Sequence, residues 1–219
     1  MIRTSRTLAP GVRPLEVWAW AMLDFANSGY TTVVLTAVFS AYFVGVVAGG
    51  AVWATLAWTA TLSASYLLVM LTLPKLAAWA DAHARKKRLL MISLSGCVLG
   101  TLILSRAGAG DVWFAAMALI VSNYCFSLSE SAIASFLPEL AERDALGRVS
   151  GWGWGLGYLG GLISLAIALV IVTEGPANGL SSEHVVPWVM VATAGLFWVS
   201  TLPAGWLLKE RSSAGRQLP

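Results

Sequence analysis

Of the 219 residues in this chain, 58% are hydrophobic and only 11% are charged. A water-soluble domain carries about 25% charged residues, so this sequence lacks the charge to cover a wetted surface. The net charge of +3 resides in short loops rather than in a basic tract interleaved with aromatics, which argues against nucleic acid as a partner.

The apolar residues come in blocks, and a block of roughly 20 residues crosses a hydrocarbon core about 30 Å thick. After a basic leader with Arg3, Arg6 and Arg13, the first block predicts a helix from Glu16 to Val47. Pro14 suits its start, because the missing N–H would be unpaired there anyway. The block is near thirty residues, against about 7–15 for a signal-peptide core, and is expected to stay in the mature protein. Gly49 and Gly50 mark a turn. The second helix is expected from Trp53 to Trp79, kinked near Pro74, and the third from Leu89 to Leu104 with Arg88 and Ser105 at its edges. The fourth should open at Asp111 and end near Leu137, before Pro138. The fifth is expected from Val149 to Val172 and the sixth from Val185 to Leu208. The fold class is therefore all-α integral membrane, with residues 16–208 as the six-helix domain between a cytoplasmic leader (1–15) and a cytoplasmic tail (209–219).

Orientation follows from the basic residues. With the N-terminus inside, Arg106 alone among the 14 Lys and Arg falls on the outer side. The excess of cytoplasmic Lys and Arg places both termini in the cytoplasm, and the plasma (inner) membrane is the expected location.

Carboxylates within a membrane helix cost at least ~2.5 kcal/mol on insertion scales, so each is a functional candidate. Asp24 is followed by Asn27, Ser28 and Thr31 at i+3, i+4 and i+7, which puts all four on one face of the first helix. The fourth helix repeats the pattern with Asn123, Ser127, Glu130 and Ser131. Both carboxylates lie about 10 Å from the cytoplasmic ends of their helices, at 1.5 Å rise per residue. The expected arrangement is a polar cavity for a small solute, with Asp24 and Glu130 coupling protons or cations and Asn27, Ser28, Asn123 and Ser127 lining it. The competing reading is polar glue between helices, which also uses Asn and Ser. In the fifth helix Gly151, Gly155, Gly157 and Gly161, with Gly153, form overlapping GxxxG pairs that predict close helix packing. Cys97 and Cys125 lie inside apolar blocks without metal-ligand spacing and are expected to pack. His83 and His184 fall in loops. No phosphate loop or hydrolase motif is present, so neither enzymatic chemistry, metal nor cofactor is expected.

The connection 77–88, Ala-Ala-Trp-Ala-Asp-Ala-His-Ala-Arg-Lys-Lys-Arg, resembles the major facilitator superfamily signature G-x-x-x-D-[RK]-x-G-R-[RK]. Asp81, Arg85 and Lys86 match it, while Ala77 and Ala84 stand in place of its glycines and Ala82 in place of a basic residue. Residues 16–28, 135–141 and 147–161 resemble the "unknown major facilitator" family, related to the yeast vacuolar effluxer. The resemblance implies a permease for small solutes, amino acids or related metabolites among them. It also implies two inverted three-helix repeats, with Asp24 and Glu130 on the first helix of each, and a cytoplasmic gate of Asp81, Arg85, Lys86 and Glu139, with Arg85 pairing to Glu139. That superfamily has twelve helices in two halves, so a half-size permease in the lipid bilayer, pairing with a second copy or a separate second half, is expected. A non-transporting scaffold, or an inactive half, is the alternative.

Overall fold

The computed structural model describes residues 7–211, so Arg3, Arg6 and Arg216 lie outside the described residues. Among those described, six helices are long and apolar enough to cross a membrane. There is no strand among them, and one isolated bridge joins Leu8 to Ala141.

The first span, α1, runs over Pro14–Val47, with Pro14 in its first turn as expected. It is not one uniform helix. Regular α-helix covers Pro14–Tyr30, and wider π-helical segments follow at Thr31–Ala37 and Phe43–Val47. The Val38 N–H bonds Val33 O at 3.0 Å and the Ala48 N–H bonds Phe43 O at 2.8 Å, each five residues back. The run Thr-Thr-Val-Val at 31–34 is β-branched and stiff at χ1, which weakens its preference for the tighter α turn. Gly49 and Gly50 then turn the chain with φ of +62° and +68°, a region glycine enters without steric cost.

The remaining spans are α2 (Ala54–Ala82), α3 (Lys86–Leu104), α4 (Val112–Leu140), α5 (Leu146–Ala177) and α6 (Ser182–Leu207). Two prolines expected outside the helices, Pro138 just past the fourth and Pro176 in the loop after the fifth, are absorbed instead. Pro138 lies inside α4, whose last turn closes with Ala141 N–H on Leu137 O at 3.1 Å. Pro176 lies inside the final turn of α5, which continues past Val172 to Ala177. A proline removes one backbone bond, and near a helix end the following residues still bond back to carbonyls beyond it. At 19 residues, α3 is about 29 Å long, just enough to cross the hydrocarbon core.

Packing shows the internal symmetry. The most extensive contacts of α1 are with α5 and α6, those of α4 are with α3 and α2, and α3 also lies against α6. Exchanging the triplet α1–α3 for α4–α6 maps these pairs onto one another, as two inverted repeats require. Each triplet thus lends its middle helix to the first helix of the other. The core between α1, α3, α4 and α6 holds Tyr30, Phe39, Phe43, Leu94, Leu119, Phe136 and Met190, all fully buried. Large apolar side chains of α2 and α5, such as Met70, Leu71, Leu159 and Leu169, are exposed. A patch so large would drive aggregation in water but is the natural surface toward lipid.

Small residues set the closest approaches. Gly153, Gly157, Gly160 and Gly161 of α5 lie against α1, where a Cβ at Gly160 would collide with the Phe25 backbone. A Cβ at Gly157 would stand 2.9 Å from Ser28 Oγ, and one at Gly161 3.0 Å from Thr32 Oγ1. Gly151 and Gly155 are a correction to the expected packing set: nothing lies within 4 Å of where their Cβ atoms would stand. At 3.6 residues per turn they point away from the face carrying Gly153, Gly157 and Gly160. The α3–α4 contact repeats the device, with Gly100 against the Ser122 backbone and Gly96 against Cys125.

Candidate functional site

A cleft of about 510 Å³ opens between α1, α4 and α5. Asp24, Asn27, Ser28 and Thr31 share one face of α1, as their spacing predicts, and all line it. Glu130 reaches it from α4, and Trp154, Tyr158 and Leu162, all largely exposed, flank it from α5. Asn27 is the join: its Nδ2 donates to Glu130 Oε1 at 2.6 Å, linking the first helix of one triplet to the first of the other. Asn27 is 2% exposed, and its Oδ1 has no partner among the described residues. The close glycines on α5 allow this geometry. With no side chain at Gly153 or Gly157, α5 approaches until its backbone abuts Asp24 and Ser28.

Two expected cavity residues lie elsewhere. Asn123 is fully buried on α4 and donates through Nδ2 to Ser65 Oγ of α2 at 2.6 Å, so it joins helices rather than lining the cleft. Ser127 is half-buried one turn from Glu130 and outside the cleft lining. Above the cleft a second polar cluster is closed on itself. Tyr30 Oη accepts from Ser122 Oγ at 2.9 Å, Thr101 Oγ1 lies 3.2 Å from Ser122 Oγ, and the Tyr30 ring stacks on Phe126.

At the membrane edge, the signature loop forms a compact ionic site. Lys86 Nζ bridges Asp81 Oδ1 at 3.3 Å and Glu139 Oε1 at 3.2 Å. Arg85 does not make the expected pair with Glu139. It is the residue before α3, without a side-chain capping bond, and its guanidinium lies over the Trp79 ring, 5.6 Å from the centroid. Lys86, one residue on, enters the first turn of α3 and faces the end of α4 instead. Between Asp81 and Arg85, Ala84 sits at φ +50°, where a side chain is strained and the superfamily pattern has glycine.

Residues beyond α6 complete this site, and no motif pointed to them. Arg211 donates to both oxygens of Glu16, Nη1 to Oε1 at 2.6 Å and Nη2 to Oε2 at 2.7 Å, while its backbone N–H bonds Glu139 Oε2 at 2.7 Å. The Lys209 N–H adds a third bond to Glu16 at 2.9 Å. Glu210 accepts from the Lys86 and Lys87 backbone N–H groups, the free donors at the start of α3. The Glu16 carboxylate holds the Arg211 guanidinium above its ordinary value. The segment 208–211 is therefore latched to the ends of α1, α3 and α4. Glu16 could have been flagged as an acid in a first helical turn, but nothing in the sequence ties it to a residue 195 positions on.

Six membrane-crossing helices in two interlocked triplets, a carboxylate-lined cleft on the first helix of each, and the Asp81–Lys86 loop define a membrane protein of the major facilitator type. Comparison with known proteins narrows this. The family model described as vacuole effluxer Atg22-like matches residues 43–219, and the chain belongs to that family. It is also 29% identical over 191 residues to the uncharacterized MFS-type transporter YxiO of Bacillus subtilis (strain 168). That match covers 83% of this chain and 44% of the relative, so the chain spans less than half of that protein's length. No solved structure matches. The family match takes in Glu130 and the signature loop, whereas Asp24 and Asn27 precede it.

Proposed function

We propose that the chain forms half of an alternating-access path for small solutes, amino acids or related metabolites among them, in the plasma membrane with both termini cytoplasmic. A second copy or a separate second half would close the path, because the cleft is walled by α1, α4 and α5 and open elsewhere. Asp24 and Glu130 couple movement to protons or cations, Asn27 and Ser28 shape the cleft between them, and Asp81, Lys86 and Glu139 form the cytoplasmic gate. The observation that carries this reading is the Asn27–Glu130 bond at 2.6 Å beside Asp24. It supports the reading because both carboxylates line one solute-sized cavity, at the junction of elements that rock against each other in such folds.

Reconstitution in sealed vesicles tests it. Solute flux across a panel of amino acids should follow an imposed pH gradient, and Asp24→Asn or Glu130→Gln should abolish that dependence at unchanged protein level. Flux that keeps its pH response in both variants would reduce the two carboxylates to structural glue. No flux in any condition would favour the non-transporting scaffold.

A further inference from the structure

The cleft offers acceptors and aromatic faces but no cation. Neither Lys, Arg nor His lines it, although Asp24 and Glu130 both do. Asn27 adds an independent demand for a donor. Its amide nitrogen is committed to Glu130, an orientation that is fixed because the amide oxygen would be repelled there. Its Oδ1, on a residue 98% buried by exposed fraction, is left with no partner among the described residues. A buried polar atom in that state is costly; Ser93 Oγ and Asn123 Oδ1 share it, but of the three residues only Asn27 lines the cleft, where a ligand donor would relieve the cost.

The remaining walls describe the rest of the ligand. Trp154 and Tyr158, one turn apart on α5, stand edge to face with centroids 6.3 Å apart. Leu162 continues the same wall. Aromatic faces attract cations and also pack apolar tails. A volume of about 510 Å³ suits an organic molecule and far exceeds a bare ion.

We propose that the cleft binds an organic ammonium cation, a primary or secondary amine carrying an aryl or apolar tail. An ammonium brings up to three donors and no acceptor. It bonds Asp24 and Glu130 with Asn27 beside them, and the tail lies along Trp154, Tyr158 and Leu162. A ligand carboxylate gains nothing here, since it would meet two like charges. The proposal deepens the transport reading by naming the substrate class and rests on it only for movement across the membrane, because binding is measured separately.

The test uses the full 219-residue chain in lipid nanodiscs, with empty nanodiscs as the blank. Isothermal titration compares 2-phenylethylamine, 3-phenylpropionate, phenylalanine and sodium chloride. The amine should bind saturably and the carboxylate should not, with phenylalanine no tighter than the amine. Asp24→Asn should weaken the amine about tenfold or more, as loss of a charge-assisted bond implies, and Trp154→Ala should weaken it by a smaller factor. The ligand series on the unmodified chain decides the matter even if a variant fails to fold. Phenylpropionate binding as well as the amine, phenylalanine binding tenfold tighter, a response to sodium chloride alone, or no response to the amine would each overturn the assignment. Amine binding without flux in vesicles would uphold the site and sink the transport reading, so the two failures are distinguishable.

Discussion

The latch beyond α6 makes a sharp demand on stability. Arg211→Ala removes both guanidinium bonds to Glu16 and leaves a carboxylate that is 5% exposed with one backbone donor, the Lys209 N–H. Breaking a fully buried pair by deleting one partner costs about 3–5 kcal/mol. Arg211 is 26% exposed, so solvent screens part of the attraction and about 2–3 kcal/mol is the expected loss. For a chain of this size each kcal/mol moves the midpoint by about 2–4 °C, so the variant should melt roughly 5–10 °C lower. Circular dichroism in one mild detergent at a fixed scan rate measures it, the fixed rate guarding against irreversible unfolding. Arg211→Lys keeps the charge but loses the two-pronged geometry and should fall between. Glu16→Gln combined with Arg211→Ala should lose less than the sum of the single changes, by about 1 kcal/mol or more, because the second change removes the stranded charge. A midpoint within 2 °C of the parent for Arg211→Ala, or strict additivity, would refute the latch as a stabilising contact.

Other expectations follow from packing, charge and symmetry. Gly160→Ala should destabilise by roughly 1–3 kcal/mol because its methyl meets the Phe25 backbone, whereas Gly155→Ala, in open space, should be neutral or stabilising; equal melting of the two would refute the α1–α5 contact. Reporter fusions at Gly50, Ala109 and Gly179 should read outside, and those at His83, Ala145 and the C-terminus inside; two on the wrong side would overturn the orientation. If a second copy closes the path, cysteines at Asp81 and Ser150, in a background with Cys97→Ala and Cys125→Ala, should crosslink between chains in native membranes. Crosslinking only within a chain would point to a separate second half instead.

The six spans were legible because a membrane helix must satisfy its own backbone and face lipid, and both demands are written in the length and hydropathy of each block. The Asp24–Asn27–Ser28 face was legible for the same local reason, since helical spacing fixes which side chains share a side. Spacing on one helix does not say which neighbour that side meets. Asn27 and Asn123 illustrate the difference. Each is a buried asparagine on a polar face of a first-of-triplet helix, and both read alike in sequence. Asn123 faces α2, where Ser65 Oγ accepts from its amide nitrogen away from the cleft. Asn27 faces Glu130 across the cleft; the amide oxygens of both asparagines are without a partner among the described residues, so what sets Asn27 apart is the cavity beside it.

The glycines make the same point. A run of alternate glycines announces close packing, but only the structure separates Gly153, Gly157 and Gly160, which meet α1, from Gly151 and Gly155, which meet nothing. The π segments of α1 were hidden because a Thr-Thr-Val-Val run is as apolar in a wide turn as in a tight one. Their position is nonetheless informative. The first begins at Thr31, which lines the cleft together with Thr32, so the wider backbone starts within the cleft wall. Wide turns of this kind concentrate at functional sites because they re-aim side chains without breaking a helix. In α1 the regular segment fixes Asp24 and Asn27 against α4 and α5, and the wider segment lets the upper half of the helix carry Phe39 and Phe43 back into the core against Trp58. One helix thus supplies both the regular stretch that carries Asp24 and Asn27 and the wider turns that continue the cleft wall at Thr31 and Thr32.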